Sequence, residues 1–236
     1  MTLPLSPTAR TTVGRGRHRA LSERADLHAF LADGLVAHVG VSVESGVEDG
    51  VGDGAAAHPV VLPTAYAVDP DGTDEGGTLY LHGSVAARWL RAAIGATICV
   101  TVTEVDGVVT ARSAFHHSMN YRSAVVIGAA REVLDPDERD RALDAIVDHL
   151  VPGRAATLRP STRKELAATI VLAVPLVEAS MKARAGGPVD DPEDVAAGTW
   201  GGHLPVRRVW DDPVPDADAH GAVPEDVLAR VALTSA

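Results

Sequence analysis

Apolar positions along the chain come in short runs separated by polar turns, not in long helical stripes. From Ser22 the spacing of Leu27, Phe30 and Leu31 predicts a helix that Gly34 ends. The β-branched run 35–43 (LVAHVGVSV) predicts a buried strand, and the glycine- and acid-rich stretch 44–58 a loop. Strand character resumes over 59–69 (PVVLPTAYAVD), where Pro63 argues for an edge or a bulge because proline cannot donate to a ladder. The turn DPDGTDEGG leads into the strand TLYLHG. Helical spacing then runs from Ser84 to Ala93, with Trp89, Leu90 and Ile94 facing one way and Gly95 closing it.

ATICVTVTEV and VVTARSAF predict two strands joined by a two-residue Asp106-Gly107 hairpin loop. Residues 122–134 form a further strand in which Gly128 marks a bulge or a close approach. DPDERDRALDAIVDHLVPG carries the strongest helix signal. Asp135 or Asp137 caps it, acids fill its first turn, and Leu143, Ile146, Val147 and Leu150 form its apolar stripe. Residues 168–179 read as one long strand, MKARAGGPVDD as a loop, and TWGGHLPVRRVW as a short strand or turn. Pro224 to Leu233 has a weak helical pattern. Six to eight short strands in hairpin order with two or three helices make a mainly β, α+β chain. They imply a helix-decorated antiparallel β-barrel, not a doubly wound sheet. The expected organisation is a flexible basic arm over 1–19, a barrel domain over 20–210 and a Pro/Asp-rich tail over 211–236.

Composition narrows the function classes. With 46% apolar residues the chain can build a full core, but aromatics at 3% leave that core to Val, Ala, Leu and Ile. A net charge of −11 excludes general nucleic-acid binding, although a local basic cluster can still hold a small anion. The single cysteine, Cys99, excludes an internal disulfide and any multi-cysteine metal site, and its strand context makes it a small buried hydrophobe. No apolar run approaches the length of a signal or membrane segment, so a cytoplasmic protein without a membrane partner is expected.

Two segments carry candidate chemistry. In LYLHGSVAARWLR a strand ends at Gly83, Ser84 can cap the following helix, and no acidic side chain serves the helix start. Free N–H groups there, with Arg88 and Arg91 behind them, would suit an anion. Taken alone, the segment reads more plainly as an ordinary strand-to-helix corner with solvent-facing arginines. In ARSAFHHSMNYRSAVV, Arg112, Ser113, His116, His117, Ser118, Asn120, Arg122 and Ser123 crowd around Phe115, Met119 and Tyr121. That mixture suits a polar-edged planar ligand with a phosphate. A metal site is not indicated, because adjacent histidines in a strand point to opposite faces and no third ligand has zinc-like spacing. A serine nucleophile at Ser118 lacks the elbow sequence and an orienting acid.

Taken together, the PTAY strand, LYLHGS with its helix, and HHSMNYRS resemble the pyridoxamine 5′-phosphate oxidase-related family of FMN-binding split barrels. The branch most similar is the flavin-nucleotide-binding one that includes nitroimidazole-resistance-type proteins. The resemblance covers about residues 20–210. It implies a six-stranded split barrel, a homodimer and FMN at the dimer interface. Carried across, the cofactor-binding residues are Pro63, Thr64, Ala65 and Tyr66 along the flavin, and Leu81, His82, Gly83, Ser84 and Arg88 at the phosphate. Ser118, Met119, Asn120, Tyr121, Arg122 and Ser123 form the second phosphate and ring-edge segment, and Lys182, Arg184 and Trp200 the C-terminal loops. The arginine-rich ending of the pyridoxamine phosphate oxidases proper is absent. WGGHLPVRRVW stands in its place, with Arg207 and Arg208 outside that pattern, which argues against pyridoxamine phosphate as substrate. The resulting expectation is an FMN-dependent oxidoreductase acting on a small planar substrate, with His116, His117 and Tyr121 as donors near the ring. The alternatives are a flavin carrier or sensor without turnover, and a haem-binding split barrel with His203 as the candidate ligand.

Overall fold

The computed structural model describes residues 4–6, 8–44 and 57–233. In chain order the elements are β1 (Ala20–Leu21), α1 (Arg24–Asp33), β2 (Ala37–Val43), β3 (His58–Thr64), β4 (Tyr66–Asp69), β5 (Thr78–Ser84) and α2 (Arg88–Ala93). There follow β6 (Thr97–Thr110), β7 (Ser118–Ala129), β8 (Arg131–Glu132), α3 (Pro136–Leu150), α4 (Arg163–Ala167), β9 (Thr169–Pro175) and β10 (Ala179–Arg184). The chain ends with α5 (Pro192–Ala196), β11 (Gly202–Pro205) and α6 (Glu225–Ala232). Most of the expected loop over 44–58 lies outside the described residues.

Two antiparallel sheets form the molecule. The larger runs β1-β10-β7-β6-β2-β3 with β11 added to β6, and the smaller runs β4-β5-β9-β8. Period-2 alternation decides which side chains enclose the core. Val39 and Val41 of β2, Val100 and Val102 of β6, and Val126 of β7 meet Leu79 and Leu81 of β5 and Leu172 and Val174 of β9. The opposite faces of β5 and β9 bury Tyr80, Val171 and Ala173 under Ala142 and Ile146 of α3. This explains the unbroken apolar runs of β5 and β9, which have no solvent face. The expected mainly β, α+β split-barrel architecture is what the chain adopts, and Pro63 lies on an edge strand, β3.

Three local expectations are corrected. Asp106-Gly107 does not close a hairpin: β6 is one 14-residue strand, paired with β7 on both sides of Asp106, from Thr97 to Val105 and from Gly107 to Val109. Register slips between Val105 and Gly107, so Asp106 is the extra residue of a β-bulge. A Cβ on Gly107 would stand 2.8 Å from the Leu204 carbonyl oxygen, so glycine is needed there for β11 to approach. The reversal comes later, over Ala111 to His117, through a 3₁₀ turn at Ala114–His116. Second, Ser84 is not a helix cap. It ends β5, its Oγ accepts from Ala86 N at 3.2 Å, and the helix begins four residues on behind Ala87. Third, 59–69 and 168–179 are not single strands. Each crosses between sheets, at Ala65 and over residues 176–178, because alternation in the sequence does not record which sheet a strand joins. The second crossing also places Met181–Arg184, read as loop, inside β10.

The end of α1 gathers several elements. Tyr66 Oη donates to the Leu31 carbonyl at 2.6 Å, His149 Nε2 meets the Gly34 carbonyl at 2.5 Å, and Arg208 Nη2 donates to the Asp33 carbonyl at 2.9 Å. Burial lowers the His149 pKa, so the ring is neutral and carries its proton on Nε2, the atom facing the carbonyl. Burial, with Glu104 and Asp33 nearby, pushes the Tyr66 hydroxyl well up.

A second anchor ties β8 to α3 and to the turn before β5. Arg131 donates to Asp74 at 2.9 Å and to Glu138 at 2.5 Å, while Tyr80 Oη donates to Glu138 at 3.2 Å. Asp135 caps α3 by accepting from Glu138 N at 2.9 Å. Hydrogen bonding from Arg131 holds Glu138 below its ordinary 4.5. For Asp74 burial works upward, but the bonds from Arg131 and Thr78 outweigh it and the net shift is downward from 3.8. Both folded pKa values lie below the unfolded ones, so the stability they contribute is complete above the ordinary carboxylate range and is lost as pH falls through the depressed values. Arg131→Met should cost about 1–2 kcal/mol at neutral pH, between the exposed and buried limits. It should also flatten the decline in stability below about pH 4. Chemical denaturation across pH checks this, and equal acid slopes for variant and parent would contradict it.

Candidate functional site

Around α2 the chain forms a cleft of about 440 Å³, lined by Ser42, Glu44, Arg88, Arg91 and Ala96 among others. Arg88 is the first residue of α2, and its Nη2 lies 3.5 Å from the Glu44 carbonyl oxygen. Arg91 reaches back to the Val85 carbonyl at 3.1 Å. Neither guanidinium is in an ion pair among the described residues, so both charges remain available to an anion entering the cleft. Ser84 is exposed nearby in sequence, whereas Leu81 faces the barrel core and is fully buried. A Cβ at Gly83 would meet Leu90 Cδ1 at 2.6 Å, so this glycine admits a core side chain of α2. His82 is half-buried; burial lowers its pKa, and its Nδ1 is enclosed without a hydrogen-bond partner.

The second expected wall, Ser118–Ser123, divides by strand face. Asn120 is buried. It donates to the Gly186 carbonyl at 3.1 Å and accepts from Arg184, which also holds the Gly187 carbonyl at 2.9 Å. Arg122 lies over the Phe30 ring and is committed to Asp106 at 3.0 Å and Asp33 at 3.4 Å. Asn120, Arg122 and Arg184 therefore spend their polar groups on the fold. On the other face Tyr121 stands opposite Arg184, and Ser123 opposite Lys182. Met119 and Trp200 are exposed. Pro63 and Thr64 end β3, Ala65 is the crossing, and Tyr66 is a core side chain whose hydroxyl is already satisfied.

One chain does not join the two walls. The α2 cleft reaches Ala96 at one end of β6, while Ser123 faces Thr103. Seven residues separate those points, roughly 23 Å at ~3.3 Å per residue. A single phosphate cannot touch both within one protomer.

The hairpin end beyond the bulge has its own organisation, which the sequence did not signal. Asp190, with its side chain 1% exposed, accepts from Arg112 N at 2.9 Å and from Arg112 Nη1 at 2.7 Å, pinning the chain after β10 to the β6–β7 turn. His116 meets Asp191 at 3.4 Å. His117 Nδ1 lies 2.8 Å from the Ser113 carbonyl and donates to it, so in the neutral ring the lone pair is on Nε2. Around it Phe115 (89% exposed), Met119, Val108 and Leu204 form an exposed apolar patch. His203 is exposed on β11, in the row His203–Val109–Ser118. Among the described residues no group of His, Cys, Asp and Glu is placed to hold a bare metal ion, and no helix is long and apolar enough to cross a membrane.

Comparison with known proteins places this architecture. The flavocytochrome Anf3 from Azotobacter vinelandii matches with a TM-score of 0.82 and 36% identity, covering 96% of this chain and 98% of that one. The FAD and haem binding protein from Mycobacterium smegmatis matches with a TM-score of 0.76 and 36% identity, covering 90% and 97%. A candidate 5-nitroimidazole antibiotic resistance protein from Bacteroides thetaiotaomicron shares the fold at a TM-score of 0.51 and 19% identity, over 69% and 85%. No curated protein matches. The family model described as pyridoxamine 5′-phosphate oxidase matches residues 23–183, well over half of the chain, and the chain therefore belongs to the pyridoxamine 5′-phosphate oxidase family.

Proposed function

We propose that this chain is a flavin-binding redox protein. The observation that carries the reading is its 36% identity, over nearly the whole of both chains, to a flavocytochrome and to an FAD and haem binding protein. The α2 cleft suits the phosphate next to the flavin's ribityl chain, because Arg88 and Arg91 outnumber the one acid of its lining, Glu44, and neither is in an ion pair among the described residues. That phosphate is common to FMN and FAD. FMN was the expectation from the sequence, and the Mycobacterium smegmatis relative favours the dinucleotide. When bound, the isoalloxazine supplies the redox chemistry, and the protein positions it. The small-molecule substrate would be oxidised or reduced there.

A homodimer brings the distant wall into reach. Gly40, Cys99 and Ile127 form one cross-strand row and His38, Thr101 and Val125 another, rows on β2, β6 and β7 that hold no Asp, Glu, Lys or Arg and suit a second copy. Sedimentation at the mass of one chain would exclude this arrangement.

Haem is a second reading, favoured by the same two relatives and by His117. Its Nδ1–H is held by a carbonyl and its Nε2 has no partner among the described residues, beside the exposed apolar patch, so His117 would hold a haem iron with its ring already oriented, whereas no such orienting bond is present at His203 among the described residues.

The purified protein should show the paired near-ultraviolet and blue absorption bands of a flavin, and a colourless protein would refute the proposal. Arg88→Gln/Arg91→Gln should retain roughly a tenth or less of the parental flavin; full retention would reject the phosphate assignment. Anaerobic NADPH should bleach the bands of an oxidoreductase, whereas a carrier or sensor would stay coloured with every donor tried. If a Soret band is present, His117→Ala should abolish or shift it and His203→Ala should not.

A further inference from the structure

The short strand β1 pairs with β10, setting Ala20 opposite Lys182. That pairing draws the preceding 3₁₀ turn, Arg17–Arg19, onto the outer face of the large sheet. Gly16 enters the turn with φ 71°, a left-handed conformation, and its carbonyl accepts from Arg19 N at 2.9 Å. Between turn and sheet lies a cleft of about 410 Å³, lined by Arg15, Gly16, His18, Arg19, Tyr121 and Lys182.

Its charge is unusual for this protein. The chain as a whole carries −11. Seven arginines among the described residues are matched to carboxylates in ion pairs. Arg15, Arg19 and Lys182 are not: none has a carboxylate partner among the described residues, and no acid lines the cleft. Arg19 Nε is enclosed without any hydrogen-bond partner. Three like charges converging on one concavity repel one another unless an anion occupies it, and an enclosed guanidinium nitrogen without an acceptor costs free energy that a ligand oxygen would recover.

We infer that this cleft is a second anion site, separate from the α2 cleft, that takes a phosphate ester or pyrophosphate group. Two guanidinium forks and an ammonium match several phosphate oxygens at once, and Tyr121 adds an aromatic ring to the same wall. The group is either the additional phosphate that distinguishes FAD from FMN or that of a separate phosphorylated ligand. Only the first identification rests on the flavin reading; the anion site does not.

The test compares the purified protein with Arg15→Gln/Lys182→Gln and with the charge-preserving Arg15→Lys, after thermal unfolding has confirmed that each is folded. Two quantities are measured: the affinity for pyrophosphate by titration calorimetry at low salt, and the amounts of FAD and FMN released on denaturation. The double variant should bind pyrophosphate roughly tenfold or more weakly, or lose FAD while keeping FMN, and Arg15→Lys should be intermediate. FAD loss identifies the cofactor's second phosphate. Weakened pyrophosphate binding with unchanged flavin identifies a separate ligand, and it supports the site even if the protein proves to contain no flavin. A double variant that matches the parent in both measurements overturns the inference.

Discussion

A helix leaves its last carbonyls without intrahelical donors, and at the end of α1 those carbonyls gather the molecule. Leu31, Asp33 and Gly34 are served by Tyr66 from the small sheet, Arg208 from the chain after β11 and His149 from α3. The Asp33 carboxylate adds Arg122 from β7. Each donor comes from a different part of the sequence, so these bonds tie distant segments to one helix end. Because the buried Tyr66 and the half-buried His149 pack with ring centroids 4.6 Å apart, losing the Tyr66 hydroxyl would leave the Leu31 carbonyl without its donor in an apolar setting.

That constraint also decides which polar residues are left for ligands. Arg122, Asn120 and Arg184 look like binding residues by type and neighbourhood, but the fold has already claimed them. Among the described residues, cations without an ion-pair partner converge on a cleft at two places: Arg88 and Arg91 beside α2, and Arg15, Arg19 and Lys182 between the N-terminal turn and the large sheet. In so acidic a protein the informative arginine is the one without a carboxylate.

Much of the architecture was legible because it rests on local physics. α1 with its Gly34 stop, α3 with its Asp135 cap, and the edge placement of Pro63 all follow from dihedral and hydrogen-bond rules that act within a few residues. What was illegible depends on partners distant in sequence. Asp-Gly serves a bulge as readily as a hairpin, and only the length of β7 opposite it decides which. The change of sheet at Ala65 leaves no trace in the alternation of side chains. Arg122 is held by Asp106 at the bulge and by Asp33, 89 residues earlier. The basic arm was visible as composition, but its convergence with Lys182 arises only when β1 pairs with β10.

The bulge at Asp106 also resets the phase of the strand that carries it. Before it, even-numbered residues of β6 such as Val100 and Val102 point into the barrel; after it, Val109 is fully enclosed while Val108 is 41% exposed. One long strand thus belongs to two independent pattern domains, one keyed to the barrel and one to the hairpin end with β11. Straightening the strand with that residue kept would turn the hairpin end inside out, whereas deleting it would leave a regular ladder, Val105 opposite Tyr121 and Gly107 opposite Asn120, with Val109 still pointing inward.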